Sequence, residues 1–493
     1  MGNSSGAQLS TDLVIIGAGG AGLVAAAAAL EAGLTNIIVI EKAATPGGNT
    51  AQSAGMFAID SPAQKRKGIR VPEDQIFREK MAYANWRVDP ALTRHCIRES
   101  GRMVEWFEGR GMRFDNVIEF LREGQAPKVF HSFSLGPDGF IGRRIVDTLT
   151  GECHRRGVEI LCDTSALALN RDGQGRTAAV TVRSAKQDST IQTRAVILAT
   201  GGFGANSELL EKYFPGHGNV FTKGYAQMTG DGLTMAERIG AAIDDNMVLL
   251  VTGPHHYPWS HVLTLLVRRP ELLLVNKEGE RYCDETIFLD YHTEAGNALS
   301  RQPDMICYAL LDSAIKERIE TSGQIVSGME REAGGSGAWV QDLSKELEAG
   351  AARGTVFTGT GWDEVATQMG AAPAVLGETV KRYNEYCDSG RDGEFFKEGG
   401  FLLPLRKPPF YAVLGVQGFD TTLGGIKIDH RMEVIDQDDR PIPGLYATGD
   451  CASQWEHRDY NLRHPGSAMT FAFCSGYIAG QEAAAYIGRT AAD

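Results

Sequence analysis

The stretch from Thr11 to Glu41, TDLVIIGAGGAGLVAAAAALEAGLTNIIVIE, leaves this chain little freedom in how it begins to fold. An apolar strand, Leu13 to Ile16, runs straight into Gly17-x-Gly19-x-x-Gly22. An alanine-rich helix follows, then a second apolar strand, Ile37 to Ile40, and Glu41 closes it nineteen residues after Gly22. Gly17 permits the tight turn, Gly19 lets the backbone approach a pyrophosphate, and Gly22 lets helix and strand pack closely. The helix N-terminus offers N–H groups and partial positive charge to that pyrophosphate. Glu41 is placed to accept hydrogen bonds from a ribose 2′-hydroxyl. A bare GxGxxG says little, because glycine-rich turns are common. Here strand, helix, second strand and terminal acid fall in register, and together they predict a dinucleotide-binding unit.

Which dinucleotide is decided downstream. Glu41 is followed by Lys42 and the run Gly47-Gly48-Asn49-Thr50, and much later come Ala199-Thr200-Gly201-Gly202 and Ala447-Thr448-Gly449-Asp450. An NAD dehydrogenase rarely needs a second Ala-Thr-Gly segment near its C-terminus. A flavoprotein does, because FAD lies extended and its ribityl chain and ring are held by residues remote in sequence. With these motifs, with Thr229-Gly-Asp231-Gly, and with Asn276-x-x-Gly279-x-Arg281-x-x-Asp284-Glu285, the chain resembles the fumarate reductase/succinate dehydrogenase flavoprotein family. The likeness is to its soluble single-chain branch, which includes flavocytochrome fumarate reductases, urocanate reductases and 3-ketosteroid Δ1-dehydrogenases. It covers nearly the whole chain, through a final helix taken to run from Arg463.

The resemblance implies an α/β fold: a Rossmann-type FAD-binding domain, residues 1–246 and 416–493, with an inserted α+β capping (clamp) domain, residues 247–415. It implies FAD contacts at Gly17, Gly19, Gly22, Glu41, Lys42, Gly48, Asn49, Thr50, Ala199, Thr200, Gly201, Asp231, Gly449, Asp450 and Ser467. Membrane succinate dehydrogenases attach FAD through a histidine just before a threonine in the loop after the second strand. The corresponding pair here is Asn49-Thr50, so non-covalent FAD is expected. A helical segment from Glu73 to Arg110 is expected inside the first part. In the insert lie an aromatic, histidine-rich stretch around His255-His256-Tyr257-Pro258-Trp259, a glycine loop at Gly334 to Gly337 and a polar loop at Ser389 to Gly400.

Composition narrows the partners. Lys plus Arg number 49 against 62 Asp plus Glu, a net charge of −13, which argues against nucleic acid or an anionic membrane surface. The longest apolar stretch, Ala21 to Leu30, is too short to span a bilayer. No signal-peptide pattern is visible, so the expectation is a cytoplasmic protein. Eight scattered cysteines form no C-x-x-C, which gives no support to an iron–sulfur ligand set, attached haem or zinc. Relatives with their own haem or cluster wire electrons internally. This chain is expected to draw on a diffusing electron donor, a partner reductase or a second substrate.

Hydride chemistry at the flavin needs a group that polarises the substrate and an acid or base for the adjacent carbon. Arg463, in Asn461-Leu-Arg463-His464-Pro465-Gly466-Ser467, aligns with the arginine that grips a carboxylate in fumarate reductases. The other two parts depart from the family. Fumarate reductases carry His-His-Thr where this chain has Phe419-Asp420-Thr421-Thr422, and an ionised Asp420 would repel a carboxylate. The family's proton-donating arginine falls on Leu289, which cannot transfer a proton. Tyr291 and His292 are the nearest replacements, with His255, His256 and His261 as further candidates. Asp284 and Glu285 are not read as acid catalysts, Glu285 being by resemblance a family element near the flavin, and Tyr411 is read as interdomain packing.

These departures argue against a small dicarboxylate, and the aromatic insert favours a larger, more neutral ring: a phenol or a steroid-like enone. In length and domain content the chain is also similar to the tetrahydrodaidzein reductases, which convert an isoflavan-4-ol to equol. The reading is an FAD oxidoreductase transferring a hydride between flavin N5 and an activated carbon of such a small-molecule substrate. An enoate reductase is the alternative within enzymes, and a non-catalytic flavin electron carrier the alternative of another class.

Overall fold

The computed structural model describes residues 9–114, 116–120, 128–132, 141–185, 187–217, 220–257, 260–290, 292–322, 324–325, 338–339, 343–460 and 463–490. The glycine loop at 334–337, Pro258, Trp259 and Tyr291 lie outside the described residues. The chain divides into two compact units, 1–250 with 421–493, and 251–420.

In the first unit, Leu13–Ile16 pairs in parallel with Ile37–Ile40 on one side and Ala195–Leu198 on the other. The sheet reads Glu433–Ile435, Pro441–Ala447, Ala195–Leu198, Leu13–Ile16, Ile37–Ile40, Glu159–Leu161. All its pairings are parallel except that between the first two strands. The three central strands are buried at every position. That is why they are unbroken apolar runs rather than alternating ones: both faces are covered.

One cover is the helix Gly20–Glu31, buried from Gly20 to Leu30. Its alanines let a second helix, Ser467–Thr490, come very close. A Cβ on Gly476 would fall 2.4 Å from the Ala21 carbonyl oxygen, and one on Gly480 2.2 Å from that of Ala25. This final helix begins at Ser467 rather than Arg463, because Pro465 and Gly466, at φ +81, interrupt the chain before it. The helical segment expected over 73–110 is likewise two helices, Glu73–Tyr83 and Pro90–Glu108. Asn85 and Trp86 sit at positive φ, and Asp89 starts the second helix by accepting the Leu92 N–H at 2.8 Å ahead of Pro90.

The second unit is built on antiparallel pairing. Ile306–Asp312 lies between Leu273–Asn276 and the long strand Phe410–Leu423, which also pairs with Val356–Gly359. Arg281, Glu285, Asp392 and Lys397 form a buried ionic cluster in it: Arg281 meets Glu285 and Asp392 at 2.8 Å each, and Lys397 meets Glu285 at 3.2 Å. Asp392 also pins the polar loop after Ser389, accepting the Glu394 and Lys397 N–H groups at 2.9 Å each. The motif Asn276 to Glu285 is thus architecture: the Asn276 side chain accepts N–H groups of Glu278 and Glu280, and Glu285 closes the cluster.

All eight cysteines are free thiols. Among the described residues, no helix is long and apolar enough to cross a membrane.

Candidate active site

The parallel sheet creates the site. Leu13–Ile16 connects onward to one side, while Ala195–Leu198 and the strands beyond it build the other. At such a reversal, the loops leaving the carboxyl ends part and open a crevice. Gly17 leaves one strand and Ala199-Thr200-Gly201 the other. A Cβ on Gly17, at φ +110, would lie 2.2 Å from the Ala199 carbonyl oxygen, and one on Gly22 would lie 1.9 Å from the Gly17 carbonyl oxygen. Both glycines are required by the protein's own packing.

Gly19 is different. Its φ of −80° is open to any residue, and an added Cβ would meet nothing nearer than the Gly47 carbonyl oxygen at 3.8 Å. The chain's own packing does not require glycine there, which leaves the backbone open to close approach from the cleft.

Gly19 lines a cleft of about 920 Å³. Of the residues expected to contact FAD, Gly17, Gly19, Glu41, Lys42, Gly48, Asn49, Thr50, Ala199, Thr200, Gly201, Asp231, Gly449 and Asp450 line it, and Gly22 and Ser467 are not among its lining. Gly22 is spent on packing against Gly17. Ser467 is buried and donates to Glu456 Oε1 at 2.8 Å.

The cleft's polar groups are held in place. Glu41 accepts the Ala18 and Ala43 N–H groups at 2.9 Å each, and its carboxylate lone pairs leave capacity for a ribose hydroxyl. Lys42 pairs with Asp231 at 2.7 Å. Thr50 Oγ1 accepts the Gly20 N–H at 3.1 Å, and Asn49 Oδ1 accepts the Tyr225 N–H at 3.1 Å. The helix Gly20–Glu31 has no acidic residue in its first turn, so none of its own side chains offsets the partial positive charge there. Asp450 lines the cleft with Thr421 Oγ1 donating to it at 2.9 Å. Burial pushes its carboxyl up to about 6, against the opposing pull of the Thr421 hydroxyl. A desolvated carboxylate facing a cleft fits a ligand rich in hydroxyl donors. Room for a pyrophosphate at Gly19, an acid at the second strand end and a hydroxyl acceptor at Asp450 together suit FAD.

A family model described as an FAD binding domain matches residues 12–463. This chain belongs to that family, alongside the fumarate reductases. It is an FAD-dependent oxidoreductase. It is 30% identical to a vinyl phenol reductase of Lactiplantibacillus plantarum, over 97% of each chain. It is 26% identical to an NADH:fumarate oxidoreductase of Klebsiella pneumoniae, over 98% of this chain but 48% of that protein, so it spans about half of that relative's length. Among solved structures, a flavocytochrome c3 fumarate reductase in an open conformation superimposes with a TM-score of 0.75 at 25% identity, covering 98% of this chain and 80% of the other.

Around Arg463, this family member carries a cluster that sequence reasoning missed. The Arg463 guanidinium lies 5.4 Å from the Tyr83 ring centroid, and Tyr83 donates to Asp459 at 2.7 Å. Beside it Lys80 meets Glu456 at 2.8 Å, both nearly inaccessible, with the ammonium 3.8 Å over the Trp455 ring. Burial drives Lys80 below its usual range, and Glu456 opposes the fall. A lysine at the buried spacing of Ile76, Lys80 and Met81 was the one available signal. Of the proton-donor candidates, Tyr291 is outside the described residues and His292 is described only as backbone, at the start of the helix His292–Ser300. His255 and His256 are buried in polar contacts, with His256 Nε2 2.9 Å from Thr355 Oγ1.

Asp450 carries a pH prediction. Ribityl hydroxyls favour the ionised carboxyl, so binding FAD below pH 6 must expel its proton. FAD affinity of the apoprotein is expected to be level above pH 6 and to fall toward tenfold per unit below it. Fluorescence titration of apoprotein with FAD between pH 5 and 8 measures this, and Asp450→Asn should flatten the profile.

Proposed function

We propose that this flavoprotein reduces a carbon–carbon double bond conjugated to a phenolic ring. The observation that carries the reading is the likeness to a vinyl phenol reductase over 97% of each chain. The chain's own residues agree with it: Asp420 opposes a substrate carboxylate, and Leu289 cannot serve as the proton donor of a fumarate mechanism.

In this reading Gly19 and Gly48 admit the pyrophosphate, Glu41 takes the ribose and Asp450 the ribityl chain, without a covalent link at Asn49-Thr50. Bound FAD supplies hydride exchange at N5. Arg463 polarises an oxygen of the substrate, and Tyr291 or His292 supplies the proton to the neighbouring carbon. Electrons arrive from a diffusing donor or a partner reductase. Tetrahydrodaidzein, a phenol without that double bond, would instead lose its 4-hydroxyl as water while carbon 4 takes the hydride, and is the alternative ring substrate.

The test is anaerobic. The holoprotein is reduced fully and its flavin reoxidation followed against 4-vinylphenol, tetrahydrodaidzein, fumarate and urocanate. Reoxidation by 4-vinylphenol, at least about 100-fold faster than by the enoates, is expected, since a buried mismatched charge costs several kcal/mol; reoxidation by tetrahydrodaidzein instead would move the reading to the alternative ring substrate. Reoxidation by fumarate or urocanate alone overturns the reading in favour of an enoate reductase.

A further inference from the structure

Beside the cofactor cleft, within the unit 1–250 with 421–493, lies a second cavity of about 200 Å³. Two segments line first one and then the other. Gly449 and Asp450 line the cleft, and Ala452, Ser453 and Trp455 the cavity; in the final helix Ala472 lines the cleft and Phe471 the cavity. Gly424, also in the cavity wall, donates its N–H to the Asp450 carbonyl at 2.9 Å. Two polar groups in that wall bond to nothing in the chain. Among the described residues, neither Ser453 Oγ nor Trp455 Nε1 has a hydrogen-bond partner, yet the two residues are only 3% and 2% exposed. A buried donor without an acceptor is costly, so two in one wall call for acceptors from outside the chain, a ligand or ordered water. The indole N–H donates and cannot accept. Its direction is set, because the Trp455 ring is held by the Lys80 ammonium, 3.8 Å from its centroid, and by the Phe471 ring, stacked on it at 5.4 Å and 5°.

We propose that Ser453 and Trp455 hold the carbonyl edge of the flavin ring, each donating a hydrogen bond to one of its oxygens. This rests on Asp450 taking the ribityl chain, and not on which substrate is reduced. Three residues span at most about 11 Å of chain, so Ser453 lies within reach of a ring joined to that ribityl chain. The pyrimidine portion of the ring presents carbonyl acceptors of the kind the two donors lack. The pair also favours the reduced cofactor. Two added electrons enrich the carbonyl oxygens, and a charged acceptor makes a hydrogen bond roughly twice as strong.

The experiment compares FAD with ADP, which carries the adenine, ribose and pyrophosphate but no flavin ring, in calorimetric titrations of the apoprotein. Ser453→Ala removes a hydroxyl that bonds to nothing in the chain, so the thermal stability of the apoprotein should not fall. Affinity for oxidised FAD should drop about tenfold, with affinity for ADP unchanged. The reduced state, bonded about twice as strongly, then loses about a hundredfold, and the midpoint potential of the loaded protein should fall by about 30 mV. Trp455→Phe should move affinity and potential in the same directions, and stands in should Ser453→Ala not fold. Wild-type FAD affinity or an unshifted potential means that the donors meet ordered water only, and overturns the assignment. An equal loss of FAD and ADP overturns it too, as a general effect on the cleft. If Asp450→Asn leaves the pH profile of FAD affinity as in the wild type, the ribityl placement fails, and this assignment with it.

Discussion

Gly19→Ala should give a well-folded protein that holds FAD about 100-fold more weakly, and Gly22→Ala a protein destabilised by about 3 kcal/mol or more. The two glycines belong to one turn, yet their surroundings differ. At Gly22 the new methyl would sit 1.9 Å from the Gly17 carbonyl oxygen and 3.2 Å from the Ala199 side chain. Neither can retreat easily, because Gly17 is itself held against Ala199 at positive φ. The helix must lift from the sheet, at or beyond the upper end of the roughly 1–3 kcal/mol that overpacking costs. At Gly19 the backbone is already in a region alanine adopts, with nothing within 3.8 Å of the methyl. Apoprotein stability should hold or rise by about 0.4–1 kcal/mol, because the unfolded chain loses freedom. The methyl then fills the space a pyrophosphate approaches, and FAD affinity should drop by about 100-fold or more, the scale of losing two charge-assisted hydrogen bonds. Thermal unfolding of the apoproteins and FAD titration separate the two. A Gly19→Ala protein that binds FAD as the wild type does would remove the ligand-side reason for that glycine.

The same contrast explains what could be read from the sequence. The dinucleotide unit was legible because its causes are local: strands buried on both faces are apolar at every position, and a glycine turn needs its glycines whatever follows. Leu13–Ile16 and Ile37–Ile40 stand where the apolar runs put them. The cleft was legible too, because Ala199-Thr200-Gly201 and Gly449-Asp450 each follow a parallel strand of one sheet, and the carboxyl ends of those strands are neighbours. The Lys80–Glu456 pair was not, since its members lie 376 residues apart and neither sits in a motif. Helix ends were misjudged where backbone conformation overruled composition, at Asn85 and Trp86 and again at Gly466. Substrate recognition was the least legible part, because it rests on departures from a family pattern. A departure says what a residue no longer does, not what it does instead.

Glu285→Gln should cost the protein about 3–5 kcal/mol of stability at neutral pH and leave FAD affinity untouched. Arg281 meets this carboxylate in a two-pronged contact, Nε to Oε1 at 3.0 Å and Nη2 to Oε2 at 2.8 Å. Lys397 approaches at 3.2 Å, and the Leu274 N–H donates at 3.2 Å. Arg281, Glu285 and Lys397 have side chains no more than 1% exposed, so an uncharged amide leaves two cations inside the unit with Asp392 as the remaining carboxylate of the cluster. Burial alone would raise the Glu285 carboxyl, but Lys397 and then Arg281 outweigh it and hold it below its ordinary value. The sign follows from that depression. The stabilisation is fully present above the unfolded carboxylate's pKa, about 4.3, and is lost as pH falls through the lower folded value. Wild type and Glu285→Gln should therefore differ most near pH 7 and converge in acid, as urea unfolding at the two pH values would show. Among the described residues, those lining the cofactor cleft belong to 1–250 and 421–493, so FAD bound per folded molecule should not change. A variant that keeps wild-type stability but loses turnover would instead make Glu285 a participant in the chemistry, and would return the Asn276-to-Glu285 motif from architecture to catalysis.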